Sequence, residues 1–153
     1  MGEPMTKQRL SQYIYLKMEV DHQLERLARL RNQERLPAMQ ESDSSKHSGS
    51  GTGDRMERAI IRRMEYEDRV MPQVEAAMAE MQVIEDAIHS LPNPMEREVL
   101  RLRYMEGTCL RHLPWRDVAL RLFGNDDDSH MMATYRLHTL ALQKISEKNV
   151  SKC

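Results

Sequence analysis

Apolar residues fall on helical stripes along most of this chain. From Thr6 to Leu36 there is no glycine or proline. Leu10, Tyr13, Leu16, Val20, Leu24, Leu27 and Leu30 recur at steps of three and four, with Glu and Arg between them. That spacing places one apolar face on an amphipathic helix roughly 45 Å long. A second long helix is predicted from Arg55 to Leu91. Its stripe is Ile60, Met64, Met71, Val74, Met78, Met81 and Ile88, with Met56 and Ile84 at the margins. Pro72 lies well inside it and predicts a kink or division near Val70, because proline removes a helical N–H. Between the two helices, PAMQESDSSKHSGSGTGD is rich in Gly, Ser and acidic residues. Such a stretch buries too little to offset its ordering entropy, so residues 37–54 are predicted to be a mobile linker. The two stripes can be covered by each other or by another chain. An antiparallel hairpin is the simplest solution, and pairing of the long helices into a homodimer is expected.

Three shorter helices follow. Asn93 caps the first, Pro94 suits its first position, and Glu96 stands at capping-box spacing. Val99, Leu100, Leu102 and Tyr104 give that helix its apolar face, and Gly107 stops it. Pro114 opens the next helix, which turns Val118, Ala119 and Leu122 inward and ends at Gly124. After the polar NDDDS turn, Asp128 or Ser129 can cap a last helix with Met131, Thr134, Leu137, Ala141, Leu142 and Ile145 inward. The organisation predicted is a long helix (1–36), a linker (37–54), a second long helix (55–91), a helical domain (92–148) and a tail (149–153). The fold class is all-α: a long hairpin or coiled coil, then a small helix-turn-helix bundle.

Composition narrows the function classes. Among 153 residues, 31% are charged, aromatics are 5% and methionines number 13, which suits long helices better than a sandwich or barrel. The net charge is −1, so no global basic field draws the chain to nucleic acid. Cys109 and Cys153 are too few for a disulfide framework, and no apolar run approaches the ~20 residues of a membrane span. A cytoplasmic protein without membrane association is expected. Cys109, His112, His130 and the Asp126–Asp128 run lack the spacing of zinc or calcium sites. No phosphate loop or nucleophile elbow is present, so no cofactor, no metal and no enzymatic activity are expected. The methionine-rich stripe reads as core filling rather than a binding groove.

The segment LPNPMEREVLRLRYMEG, then LPWRDVALRLFG, then ATYRLHTLALQKI resembles the promoter-reading C-terminal domain of bacterial sigma factors. The resemblance covers about Leu91 to Ile145. It rests on Leu91, Glu96, Arg97, Val99, Leu100, Leu102, Arg103, Tyr104, Glu106 and Gly107, then Val118-Ala119, then Ala141, Leu142, Lys144 and Ile145. The order of two long helices followed by this domain is also similar to phage-encoded late transcription regulators of the ArpU/RinA type. Tyr135, Arg136, Leu137, His138, Ala141 and Leu142 carry that similarity. It implies a regulator of phage or prophage genes that binds double-stranded DNA, with RNA polymerase as a further partner.

In such a domain the helix at 129–146 would read base edges. Ser129, His130, Met132, Ala133 and Arg136 should then face outward, with Arg136 the foremost contact and His130 next. Arg111 and Arg116 flank the start of the preceding helix and would touch the DNA backbone. His138 reads as a packed or hydrogen-bonded structural residue. Two features oppose strong DNA binding: the three aspartates of the turn, and a net charge of only +2 from Pro92 to Cys153 (ten basic, eight acidic residues). The alternatives are a helical adaptor or assembly factor whose sigma-like domain binds protein, and a small-terminase-like packaging factor.

Overall fold

The computed structural model describes residues 3–40 and 51–150. The fold is all-α, with helices α1 (Lys7–Ser11), α2 (Tyr13–Gln40), α3 (Gly51–His89), α4 (Pro94–Met105), α5 (Trp115–Phe123) and α6 (Asp128–Val150). It comprises two compact units, Met1–Met18 with Met78–Cys153, and Glu19–Ala77. Both long helices contribute to each unit.

The Glu19–Ala77 unit is an antiparallel pairing of α2 and α3 within one chain. Leu27, Tyr66 and Val70 form its buried cluster, flanked by Leu30 and Met71. The Tyr66 hydroxyl donates to Gln23 Oε1 at 2.5 Å, so the ring is buried without stranding its polar end. Along one side, Arg63 binds Glu34 and Glu67 at 2.6 and 2.8 Å, and Arg31 reaches Glu67 at 3.3 Å. These bonds fix the register of the pair.

Several expected boundaries move. The first long helix is interrupted at Gln12, where Thr6 caps α1 by accepting from the Arg9 N–H at 3.2 Å. Helix α2 then continues through Pro37 to Gln40, and α3 already begins at Gly51, so helix enters both ends of the expected linker. Residues 41–50 of that linker and 151–153 of the tail lie outside the described residues. Pro72 neither ends nor divides α3. Pro72 and Asp68 are both exposed, so the carbonyl that loses its helical donor can be hydrated instead.

The α3 stripe is also rotated from the one expected. Met64 and Met78 are half exposed, Met56 is 43% exposed, and Ile84, expected at the margin, is fully buried. Val74 and Ile88 are buried as expected, but Ala59, Tyr66, Val70, Ala77 and Ile84 complete the inward face. Both stripes have helical spacing. The one with small alanines allows closer helix approach, whereas methionine is a flexible residue on either surface. On α2, Leu24 is likewise 41% exposed.

The other unit holds the main core. Met5, Leu10 and Tyr13 join Ile84, Ile88 and Leu91 with Val99, Leu100, Leu102, Tyr104, Val118, Ala141 and Ile145. Arg9 clamps Glu80 in a two-pronged pair at 2.6 and 3.0 Å, and Tyr13 donates to Glu85 Oε1 at 2.5 Å. Gly107 sits against this core so closely that a Cβ there would lie 2.1 Å from the Arg111 carbonyl oxygen. No larger residue fits without moving the backbone.

The α4–α5 connection contains a feature that composition conceals. Thr108 and Arg111 are bridged across a tight turn by an N–H···O bond of 3.0 Å, with φ +52° at Cys109 and +62° at Leu110. Two positive φ angles define a type I′-like turn, which favours Asn-Gly. Each left-handed non-glycine residue costs about 1–2 kcal/mol. Both side chains are exposed, so replacing them removes no core. The double substitution Cys109→Asn/Leu110→Gly is therefore expected to stabilise the protein by about 1–2 kcal/mol. A raised melting temperature supports this reading, and an unchanged or lower one rejects it.

Candidate nucleic-acid interface

Helices α5 and α6, joined by a short polar turn, present the candidate surface. Gly124 ends α5 in the left-handed region at φ +73°, its N–H donating to the Leu120 carbonyl at 2.8 Å. Asp127 caps α6, accepting from the His130 N–H at 2.9 Å. The cap expected at Asp128 or Ser129 is thus one residue earlier, because Asp127 is the last residue outside the helix.

The inner face of α6 carries Thr134, His138, Ala141 and Ile145, all buried. Met131, Leu137 and Leu142, expected inward, lie partly buried at the border. Thr134 returns its hydroxyl to the His130 carbonyl at 2.8 Å, which satisfies it inside the core. His138 makes a 2.6 Å hydrogen bond through Nε2 to the Tyr104 hydroxyl and stacks on the Tyr104 ring. Trp115 meets His138 edge-on at 4.6 Å, while the Arg103 guanidinium lies 4.4 Å above the indole and donates to the Leu113 carbonyl at 2.7 Å. Burial, reinforced by Lys7 and Arg103, lowers the His138 pKa to about 4. Burial also raises that of Tyr104 to about 12. The imidazole is therefore a neutral structural element.

Most of the apolar residues that carry the sigma-like resemblance meet in this core. Leu91, Val99, Leu100, Leu102, Tyr104, Val118, Ala119, Ala141 and Ile145 are all buried. Glu96, 1% exposed, accepts from Lys144 Nζ at 2.7 Å. This differs from the capping-box role expected of Glu96: its side chain turns to α6, while Asn93 caps α4 alone by accepting from the Met95 N–H at 2.9 Å. The pattern from 91 to 145 is in physical terms a packing code.

The expected contact residues divide into two groups. Arg136, Ser129 and Met132 are exposed on α6, and the Arg136 side chain makes no hydrogen bond or ion pair among the described residues. Arg111 is exposed beside the strained turn and is likewise without an ion pair there. The others are less free. His130 is partly buried, lies 5.5 Å from the Phe123 ring and bonds Asp127 through Nδ1 at 2.5 Å. The backbone N–H of His130, and after it that side-chain bond, holds the Asp127 carboxyl below its usual range. Arg116 pairs with Asp126 at 3.2 Å, so one aspartate of the acidic turn faces an arginine expected to meet DNA. Ala133 is partly covered rather than fully outward. Tyr135, named above only for the family resemblance, and Leu140, not singled out by the sequence, also stand on the exposed side, at 41% and 47% exposure. Their spacing from Met132 and Arg136 is the signal that would have found them.

Among the described residues there is no group of three or more His, Cys, Asp or Glu side chains placed to hold a metal ion. No described helix is long and apolar enough to cross a membrane. Comparison with known proteins yields no match to a family model, to a curated protein or to a solved structure.

Proposed function

We propose that the protein is a DNA-binding transcriptional regulator of the phage type, a binding protein rather than a catalyst, which reads duplex DNA with α6. The observation that carries this reading is the outer face of α6. There Arg136, unpaired among the described residues, is exposed with Ser129 and Met132 on a helix fixed to α4 and α5 by a buried core. Rigid support and a free planar donor are what base-edge recognition requires. Arg111 would add a backbone contact. His130 and Arg116 would contribute only after leaving their aspartates. The resemblance to phage late regulators supplies the biological setting and makes RNA polymerase a candidate partner. Self-association through the long helices would double the contact surface.

The experiment is fluorescence anisotropy on promoter fragments from the source genome at two salt concentrations, with wild type and Arg136→Ala. Saturable preference for one fragment, weakened about fivefold or more by the substitution, is expected from the ~1–3 kcal/mol of a base-edge pair. Equal affinity for every fragment, unaffected by Arg136→Ala, would reject direct readout. The adaptor reading has its own observation: Met132, Tyr135 and Leu140 give the same face exposed apolar surface that a protein partner would cover.

A further inference from the structure

The two sides of the α2–α3 pair in the Glu19–Ala77 unit differ in their electrostatics. On one side Arg31 and Arg63 are neutralised by Glu34 and Glu67. On the other, Arg55, Arg58, Arg62 and Arg69 follow each other at steps of three, four and seven residues along α3, all exposed. None of the four makes an ion pair among the described residues. Those steps keep the four guanidinium groups on one helical ridge about 21 Å long at ~1.5 Å per residue. At the end of the ridge Arg26 of α2 joins it. Its guanidinium lies 5.1 Å from the centre of the Tyr66 ring, and that of Arg69 lies 5.5 Å from the same ring. Two cations thus converge on one aromatic ring, with no carboxylate bound to either among the described residues. Asp54 and Glu65 are the acidic residues at ridge spacing, four before Arg58 and three after Arg62, and five arginines against two carboxylates still leave a positive excess.

We propose that this ridge, Arg55, Arg58, Arg62 and Arg69 with Arg26 over Tyr66, binds the phosphate backbone of duplex DNA. Unpaired arginines in a row are the usual means of neutralising successive phosphates, and guanidinium presents a planar fork to phosphate oxygens. The ridge length matches the rise of about six base pairs at 3.4 Å each. An anionic membrane is the less suitable ligand. Surface-binding helices bury Trp, Phe or Leu side chains beside the basic ones to enter the bilayer, whereas the exposed apolar residues between Arg55 and Arg69 are Met56, Ile61 and Met64, with no Trp, Phe or Leu among them. The ridge would provide the sequence-independent affinity that the weakly charged 92–153 segment lacks. The inference deepens the DNA-binding reading and rests on it, but it concerns backbone affinity rather than sequence choice.

The test uses the full chain and a 20-base-pair duplex of arbitrary sequence, roughly two helical turns. Binding is titrated from about 50 to 200 mM salt. Variants are Arg55→Gln/Arg58→Gln/Arg62→Gln, the matching triple Lys variant, and Arg136→Ala. Circular dichroism melting checks that each is folded. The Gln variant is expected to lose at least about tenfold in affinity at low salt. The slope of log K against log salt should shrink by about 2–3, because each lost phosphate contact removes ~0.9. The Lys variant should keep most of that slope, and Arg136→Ala should change sequence preference with little effect on it. A Gln variant with the wild-type slope overturns the ridge even if Arg136→Ala abolishes fragment preference, in which case the α6 reading stands alone. No binding of any duplex by the wild type overturns both. Binding to mixed phosphatidylcholine–phosphatidylserine vesicles without binding to duplex overturns the choice of ligand.

Discussion

Replacing Lys144 by methionine is expected to lower stability by about 3 kcal/mol, the low end of the range for a buried charge deprived of its partner. Glu96 is 2% exposed at its side chain, and Lys144 Nζ, 2.7 Å away, is the cation bound to it. The second carboxylate oxygen of Glu96 is buried with no hydrogen-bond partner. Without Lys144 the carboxyl must stay buried and unmatched or drag the start of α4 toward water. Lys144 itself is about half exposed, so hydration softens the loss and the low end of the range applies. The double variant Glu96→Leu/Lys144→Met removes the charge together with its partner. It should regain most of the loss, because an apolar side chain suits a site walled by core residues. Urea unfolding of the two variants and the wild type gives the comparison. A Lys144→Met protein as stable as wild type would show that the ion pair does not hold α4 to α6.

The second large effect is an acid sensitivity centred on His138. Its imidazole is neutral in the folded protein down to about pH 4, whereas the unfolded chain takes up the proton near pH 6.5. Above pH 6.5 both states are neutral and nothing depends on this residue. As the pH falls below 6.5 the unfolded state alone gains a proton, so folding stability declines by ~1.4 kcal/mol per unit. The decline amounts to about 2 kcal/mol at pH 5 and roughly 3 kcal/mol at pH 4, where the folded form protonates too. Burial is the chief cause, and Lys7 and Arg103 both repel the imidazolium. His112 is displaced in the same direction by burial and by Arg103, and adds to the loss. His138→Gln keeps a polar partner for the Tyr104 hydroxyl and removes the titration. Its melting temperature should therefore fall less than that of wild type between pH 7.5 and pH 5. Equal falls in the two proteins would mean that the folded His138 can be protonated.

Both predictions concern residues of the same pattern, and they show what such a pattern encodes. Tyr104 and His138 are 34 positions apart and share a hydrogen bond; Glu96 and Lys144 are 48 apart and share an ion pair. A resemblance built on these residues therefore speaks first about how α4, α5 and α6 pack. The proposed DNA-reading role would rest on exposed side chains, Arg136 above all, which no hydrogen bond or ion pair among the described residues constrains.

The helical character of the chain was determined by its sequence. Steps of three and four along both long segments, Asn93-Pro94 at the start of α4 and Gly124 after α5 are local signals, and local hydrogen bonding answers them without reference to distant residues. The tertiary structure decided what local signals leave open. Two apolar stripes competed on α3, and only the partner helix selected the one with Tyr66, Val70 and Ala77, leaving Met64 and Met78 outside. Glu96 had a local option as half of a capping box and a distant one at Lys144, and packing against α6 chose the latter. The left-handed pair at Cys109 and Leu110 has no turn signature, because closure of the core around Gly107 imposes the conformation against local preference. The arginines divide by the same logic. Sequence spacing aligns Arg55, Arg58, Arg62 and Arg69, but only the fold shows that Arg31 and Arg63 find carboxylates while these four find none among the described residues.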